Sequence, residues 1–194
     1  MLAIIDYNAG NIQSVLFAME RLGVQATLTN DADTIRAADK VIFPGVGEAS
    51  TTMRYLRELG LDTLIPTLTQ PTLGICLGMQ LMCTYSEEND TECLGIFPQK
   101  VKRFLPKNKE KVPHIGWNTI GELDNILFEN LPTESHVYFV HSYYVEKGEH
   151  TIATTDYIAP FSAAIQKDNF HATQFHPEKS GSVGEQILRN FLAA

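Results

Sequence analysis

Cysteine, tryptophan and positive charge are all scarce in this chain, and no apolar run is long. Three cysteines, at positions 76, 83 and 93, and a single tryptophan occur in 194 residues. An odd cysteine count without any CxxC spacing excludes a self-contained disulfide framework and a structural zinc site, and fits a reducing, cytoplasmic setting. Lysine and arginine number 15 against 23 aspartates and glutamates, a formal net charge of -8. Nucleic acids and anionic membranes select the opposite balance, so neither is expected as a partner. The densest basic run, Lys100 to Lys111, contains Glu110 and reads as a solvated loop. No stretch approaches the roughly 20 apolar residues that span a bilayer. The N-terminus, MLAIIDYNAGN, reaches an aspartate by residue six without a basic flank, so it reads as a strand and not a signal peptide. No metal or cofactor is expected. What remains is an ordinary globular composition, 44% hydrophobic and 20% charged, of a length that suits one domain over residues 1–194.

The first 85 or so residues alternate short apolar runs with helical periodicity. Leu2 to Ile5, Gln25 to Thr29, Lys40 to Phe43 and Leu73 to Ile75 are expected strands, and Asn8 to Asn11 a turn. Between them, Ile12, Val15, Met19 and Leu22 recur at helical spacing before Gly23, as do Met53, Leu56 and Leu59 before Gly60. Asp31 to Ala38 is a short helix, and Leu61 to Leu68 a helical piece interrupted at Pro66. Such alternation implies a parallel sheet, buried on both faces. The second half reads as strands over Gly95–Phe104, Ile115–Ile120, Val137–Glu146, Thr151–Tyr157, Ala163–Gln166 and His171–Phe175. The expected fold is therefore α/β, a mostly parallel central sheet flanked by helices with antiparallel strands added. Ser182 to Glu185 fits a capping box for a last helix that buries Ile187, Leu188, Phe191 and Leu192.

One stretch concentrates chemistry: Gly74-Ile75-Cys76-Leu77-Gly78, between a strand and a helix. Two small residues beside a nucleophile allow a sharp strand-to-helix turn that projects the side chain outward. The following helix would aim its amides and dipole at the sulfur, favouring the thiolate. Most single cysteines are instead inert core residues, as Cys83 and Cys93 are expected to be. A nucleophilic cysteine needs a base, and the base an orienting group. Of six histidines, only His176 brings its own orienter, in Gln174-Phe175-His176-Pro177-Glu178. Pro177 is expected to hold His176 extended, so that Glu178 points the same way and completes a Cys-His-Glu triad. Acyl transfer also needs oxyanion donors. Pro44-Gly45-Val46-Gly47 follows a central strand, so Val46 and Gly47 amides are candidates, with the amide of Leu77 as the second donor.

Taken together, GICLGMQ, HPE and the upstream PGVG resemble the triad, or class I, glutamine amidotransferases over essentially the whole chain. The resemblance implies the flavodoxin-like fold of that family and attack by Cys76 on the side-chain amide of glutamine. It further implies that Gly45, Gln80, Ser142 and Tyr143 contact the substrate. It assigns the substrate ammonium to Glu88, with Glu87 as the rival. Four strings, PGVG, PHIGWN, YFVHSY and HPEKSG, look like the members that serve histidine biosynthesis. That implies a heterodimer in which ammonia passes to a cyclase with a (β/α)8 barrel. By the same resemblance Asn11, Trp117, Asn118, Tyr138 and Lys179 belong to the partner interface. From the residues alone, Trp117 is either a core tryptophan or a rim aromatic at an interface. Glutaminases of other synthases, and a catalytically silent regulatory chain, are the alternatives.

Overall fold

The computed structural model describes residues 1–7 and 12–194; the turn expected at 8–11, with Asn11, lies outside them. The first half runs β1 (Leu2–Ile5), α1 (Ile12–Arg21), β2 (Ala26–Thr29), α2 (Ala32–Ala37), β3 (Lys40–Phe43), α3 (Ala49–Glu58), α4 (Leu61–Leu64), β4 (Thr72–Ile75) and α5 (Leu77–Leu81). A 3-10 turn, Ile65–Thr67, accommodates Pro66 after α4. The second half runs β5 (Tyr85–Ser86), β6 (Thr91–Glu92), β7 (Lys100–Arg103), β8 (His114–Ile120), β9 (Ser135–His141), β10 (Tyr143–Val145), β11 (Thr151–Asp156), β12 (Pro160–Lys167), β13 (Phe170–Thr173) and α6 (Gly181–Ala193).

Seven strands form the main sheet in the order β11-β12-β13-β4-β3-β1-β2. Five of them, β13, β4, β3, β1 and β2, are parallel, and β12 and β11 extend the sheet antiparallel. The parallel part has the doubly wound order in which ligands sit outside the carboxyl ends of the strands. Apolar residues on both faces explain why these strands are central. Ala3 and Ile5 pack into one hydrophobic cluster, and Leu2 and Ile4 into another on the opposite face. β3 divides in the same way, with Val41 and Phe43 on one side and Ile42 on the other. The edge strand β2 is correspondingly less buried.

Several boundaries differ from the sequence expectation. Of Gly95–Phe104 only Lys100–Arg103 is strand. The run Val137–Glu146 breaks at Ser142, and its halves join different sheets: β9 pairs with β8, β10 with β7. Two-residue strands β5 and β6 carry no periodicity to read. The capping box does not form. α6 begins at Gly181, and Ser180 precedes it with a hydroxyl committed elsewhere, donating to the His176 carbonyl (2.6 Å) and accepting from the Tyr138 amide (2.9 Å).

The end of β3 and the start of α5 touch backbone to backbone. A Cβ on Gly78 would sit 2.1 Å from the Phe43 carbonyl oxygen, and one on Gly45 would sit 2.4 Å from the Gly78 nitrogen. Only glycine permits this approach, which brings the PGVG loop against the residue after Cys76.

Candidate active site

Cys76 occupies the turn between β4 and α5 with φ 53° and ψ -107°, a left-handed backbone that side chains rarely adopt. Such strain persists only where surrounding structure enforces it, and it clusters at functional residues. Here the enforcement is visible: the Cys76 amide donates to the Thr173 carbonyl (2.7 Å), and that of Leu77 to the Gly45 carbonyl (3.3 Å). The sulfur opens onto a cavity of about 310 Å3 at the carboxyl ends of the strands, which Val46, Gly47, Leu77, Gln80 and His176 also line. Glu88, Ser142 and Tyr143 reach the same space.

His176 follows β13 and is buried, as is Glu178. Its Nδ1 pairs with Glu178 Oε1 at 2.7 Å. The route to this pair differs from the expected extended chain: Pro177–Lys179 is a 3-10 turn, which folds Glu178 back beneath the imidazole. His176 Nε2 makes no hydrogen bond of full geometry, and its neighbour in charge and hydrogen bonding is the Cys76 sulfur. Burial alone would lower the imidazole's affinity for a proton. Cys76 and Glu178 outweigh that burial and hold His176 up at about 10. A protonated imidazole between sulfur and carboxylate is the arrangement that delivers a proton to a leaving amine.

Glu88 accepts the Ala49 amide at 2.8 Å, at the start of α3, and burial raises its carboxyl above the usual range. Glu87 is exposed and accepts the Arg103 amide. Of the two, Glu88 is the one that lines the cavity. Gly47, with φ 117°, turns the PGVG loop across the cavity. Gly45 is buried beneath it. The Val46 and Gly47 amides donate to no group among the described residues, whereas the Leu77 amide is occupied by Gly45. The expected Leu77 donor is therefore not free in this conformation. Gln80, on the cavity wall, gives both its N–H bonds to protein acceptors, Tyr143 O (2.9 Å) and Gln174 Oε1 (3.0 Å). Among the described residues no group of three or more His, Cys, Asp or Glu side chains could hold a metal ion.

The β8–β9 ribbon borders the cavity. Its outer face carries Ile115 and Trp117, 60% and 57% exposed, opposite Val140 and Tyr138. Trp117 is thus not a core residue; its ring meets Tyr138 edge-on at 6.1 Å. Val140 belongs both to this face and to the cavity wall. Lys179 is half-buried on the turn that carries Glu178. Strand alternation turns Asn118 the other way: its amide donates to the Asp156 carbonyl (3.0 Å) and contacts His114 Nε2 (3.4 Å) on the inner face.

The model of the class-I glutamine amidotransferase family matches residues 3–194. The chain belongs to that family. Among curated relatives, the imidazole glycerol phosphate synthase subunit HisH of Bacteroides fragilis is 63% identical over 98% of this chain and 97% of its own length. The HisH subunit of Pasteurella multocida is 47% identical over 98% and 96%. Solved structures share the fold at low identity. A GMP synthase component from Thermoplasma acidophilum superposes with a TM-score of 0.76 at 21% identity, covering 99% of this chain and 92% of that one. PurLQS of Thermotoga maritima reaches 0.72 at 13%, covering 99% and 97%.

Some residues at this candidate site carried no motif. Tyr7 donates to the Pro44 carbonyl and anchors the PGVG loop; burial, and then the neighbouring Cys76, raise its phenol. His141 lines the cavity, and a buried pair forms where its Nε2 meets His114 Nδ1 at 3.2 Å. The tautomers follow from the acceptors. His141 Nδ1 lies 2.7 Å from the Tyr143 carbonyl and must donate, so its Nε2 accepts from His114. The signal for this pair was the pairing of PHIGWN with YFVHSY, which only the hairpin register reveals.

Burial depresses His114 to about 4 and His141 to about 3. The unfolded chain protonates these histidines below about pH 6.5, whereas the folded chain refuses the proton. Their contribution to stability is therefore complete above pH 6.5 and is lost as pH falls toward 4 and then 3, at up to about 1.4 kcal/mol per pH unit per group. His176 acts in the opposite sense, contributing below pH 6.5 and losing that contribution as pH rises toward 10. Urea midpoints measured from pH 7 down to 5 should fall, and the fall should be shallower in His114→Phe, whose ring keeps the stack on Phe139 and Tyr157. A slope identical in variant and original would contradict the assignment.

Proposed function

We propose that this chain, acting as a single domain, is the glutaminase subunit of an imidazole glycerol phosphate synthase in cytoplasmic histidine biosynthesis. The observation that carries the reading is one cavity lined by a strained cysteine and by the imidazole of a buried His-Glu pair. Whole-length likeness to HisH subunits supports the choice of synthase.

In this reading, Cys76 Sγ attacks the side-chain carbonyl carbon of glutamine. His176, oriented by Glu178, gives its proton to the departing ammonia, then takes one from the water that releases glutamate from the thioester. Glu88 faces the substrate ammonium, and Ser142 and Tyr143 hold the glutamine. The oxyanion needs donors that are not yet aligned. The Gly45 carbonyl that occupies the Leu77 amide belongs to the same peptide unit as the Val46 N–H. Rotating that unit releases Leu77 and presents Val46 in one movement. A partner or its ligand that favours the rotated state would raise activity by population shift.

The partner is a (β/α)8-barrel cyclase, forming a heterodimer across the face of Ile115, Trp117, Tyr138 and Val140, with Lys179 at its edge. That face is apolar, exposed and continuous with the cavity wall, so ammonia released there would pass into the barrel. In the barrel it would convert a phosphoribulosyl-formimino ribonucleotide into imidazole glycerol phosphate and an aminoimidazole carboxamide ribonucleotide. Mixing the chain with such a cyclase should yield a 1:1 complex and raise glutamate release by about tenfold or more. A guanylate or anthranilate synthase partner should do neither. Activation by one of those, or none by the cyclase, would refute this assignment.

A further inference from the structure

Resting on the glutaminase reading of this cavity, the geometry assigns Gln174 as a further catalytic residue: its side-chain amide donates an N–H to the Cys76 sulfur and holds the nucleophile aimed into the cavity. Gln174 is fully buried on the segment between β13 and His176, and its Nε2 lies 3.7 Å from Cys76 Sγ.

The orientation of the amide follows from its partners. The Tyr143 carbonyl can only accept, so the Gln80 atom 2.9 Å from it is the nitrogen. That nitrogen also lies 3.0 Å from the Gln174 head group, so the Gln174 atom facing it must be the oxygen. Gln174 therefore turns its NH2 toward the sulfur. A flipped Gln174 would set two donors against each other at Gln80 and leave the sulfur facing an oxygen. The Tyr143 carbonyl is fixed in turn by a second donor, His141 Nδ1, at 2.7 Å.

The role fills a gap left by the rest of the site. α5 spans only five residues, so few aligned peptide dipoles stand behind the thiolate. A donated N–H supplies local stabilisation of negative sulfur, and hydrogen bonds to charged groups are the stronger kind. It also gives Gln80 a task. With both N–H bonds spent on Tyr143 and Gln174, Gln80 is a positioning residue that acts on the nucleophile through Gln174.

The test reads Cys76 directly. Iodoacetamide labelling of the full chain is followed against pH by the mass of the Cys76 peptide, with folding checked by thermal melting. Gln174→Met keeps the volume and removes the donor. Its labelling profile should shift upward by about one pH unit, with labelling on the acid limb of the profile slowed by up to about tenfold. Gln80→Met leaves the donor but frees it, and should shift the profile in the same direction by less. A folded Gln174→Met with the unaltered profile would overturn the assignment. Should that variant not fold, an unaltered profile in Gln80→Met overturns it, and an upward shift supports it. Labelling consumes no glutamine, so this result stands apart from the glutaminase reading, which is tested by turnover of glutamine and fails if that turnover survives loss of the sulfur.

Discussion

Cys76→Ser should lower glutamine hydrolysis by about three orders of magnitude or more while leaving the fold intact. The exchange replaces one atom. The backbone strain at φ 53° is held by amides of the turn and by the packing of Gly78 on Phe43, none of which involves the sulfur. What changes is the chemistry of the attacking atom. Negative charge on the sulfur, with that of Glu178, is what holds the His176 imidazole up at about 10. A hydroxyl does not ionise there, so the charge of Cys76 is lost, and burial then acts on the ring without that opposition. The proposed complex with a cyclase offers an internal control, since supplied ammonia enters after the cysteine step. Product formation from ammonium chloride should persist in the variant complex. Retained use of glutamine would remove Cys76 from its role.

The second large effect is expected from Glu178→Gln. Glu178 Oε1 accepts from His176 Nδ1 at 2.7 Å, and its Oε2 is buried with no hydrogen-bond partner among the described residues. Its negative charge is thus compensated chiefly by the imidazolium. Glutamine keeps the shape and removes the charge. If its oxygen faces Nδ1 the tautomer survives but the imidazolium is no longer stabilised; if its nitrogen does, the ring carries its proton on the wrong atom. Either way kcat should fall by about 100- to 10,000-fold with KM little changed. Stability should fall, because removing one partner of a buried pair leaves the imidazolium without its counter-charge. A kcat within threefold of the original would show that Glu178 does not orient the base.

Motifs and periodicity carried the broad layout. Continuous apolar runs such as Leu2–Ile5 and Lys40–Phe43 specify strands covered on both faces, and the alternation with helices specifies a parallel sheet. Cys76 between glycines and His176 beside Glu178 were legible because local spacing encodes them: a tight turn and a two-residue reach. Pairings between distant segments were not. The break at Ser142 separates two strands that read as one, because a change of sheet leaves no mark in the apolar pattern. Asn118 and Trp117 are neighbours in sequence, but the register of β8 on β9 sends one inward and the other out.

The sequence alone placed Cys76 on a tight turn, His176 beside Glu178, and the parallel strands' building blocks in order, since each depends on residues a few positions apart. Tertiary structure decided what surrounds the sulfur. Gln174, 98 positions from Cys76, donates to it only because β13 lies beside β4. The Leu77 amide is engaged only because the loop after β3 packs against α5. Hydrogen bonds of this kind depend on the distance between chains in space, and that is set by the packing of the whole sheet.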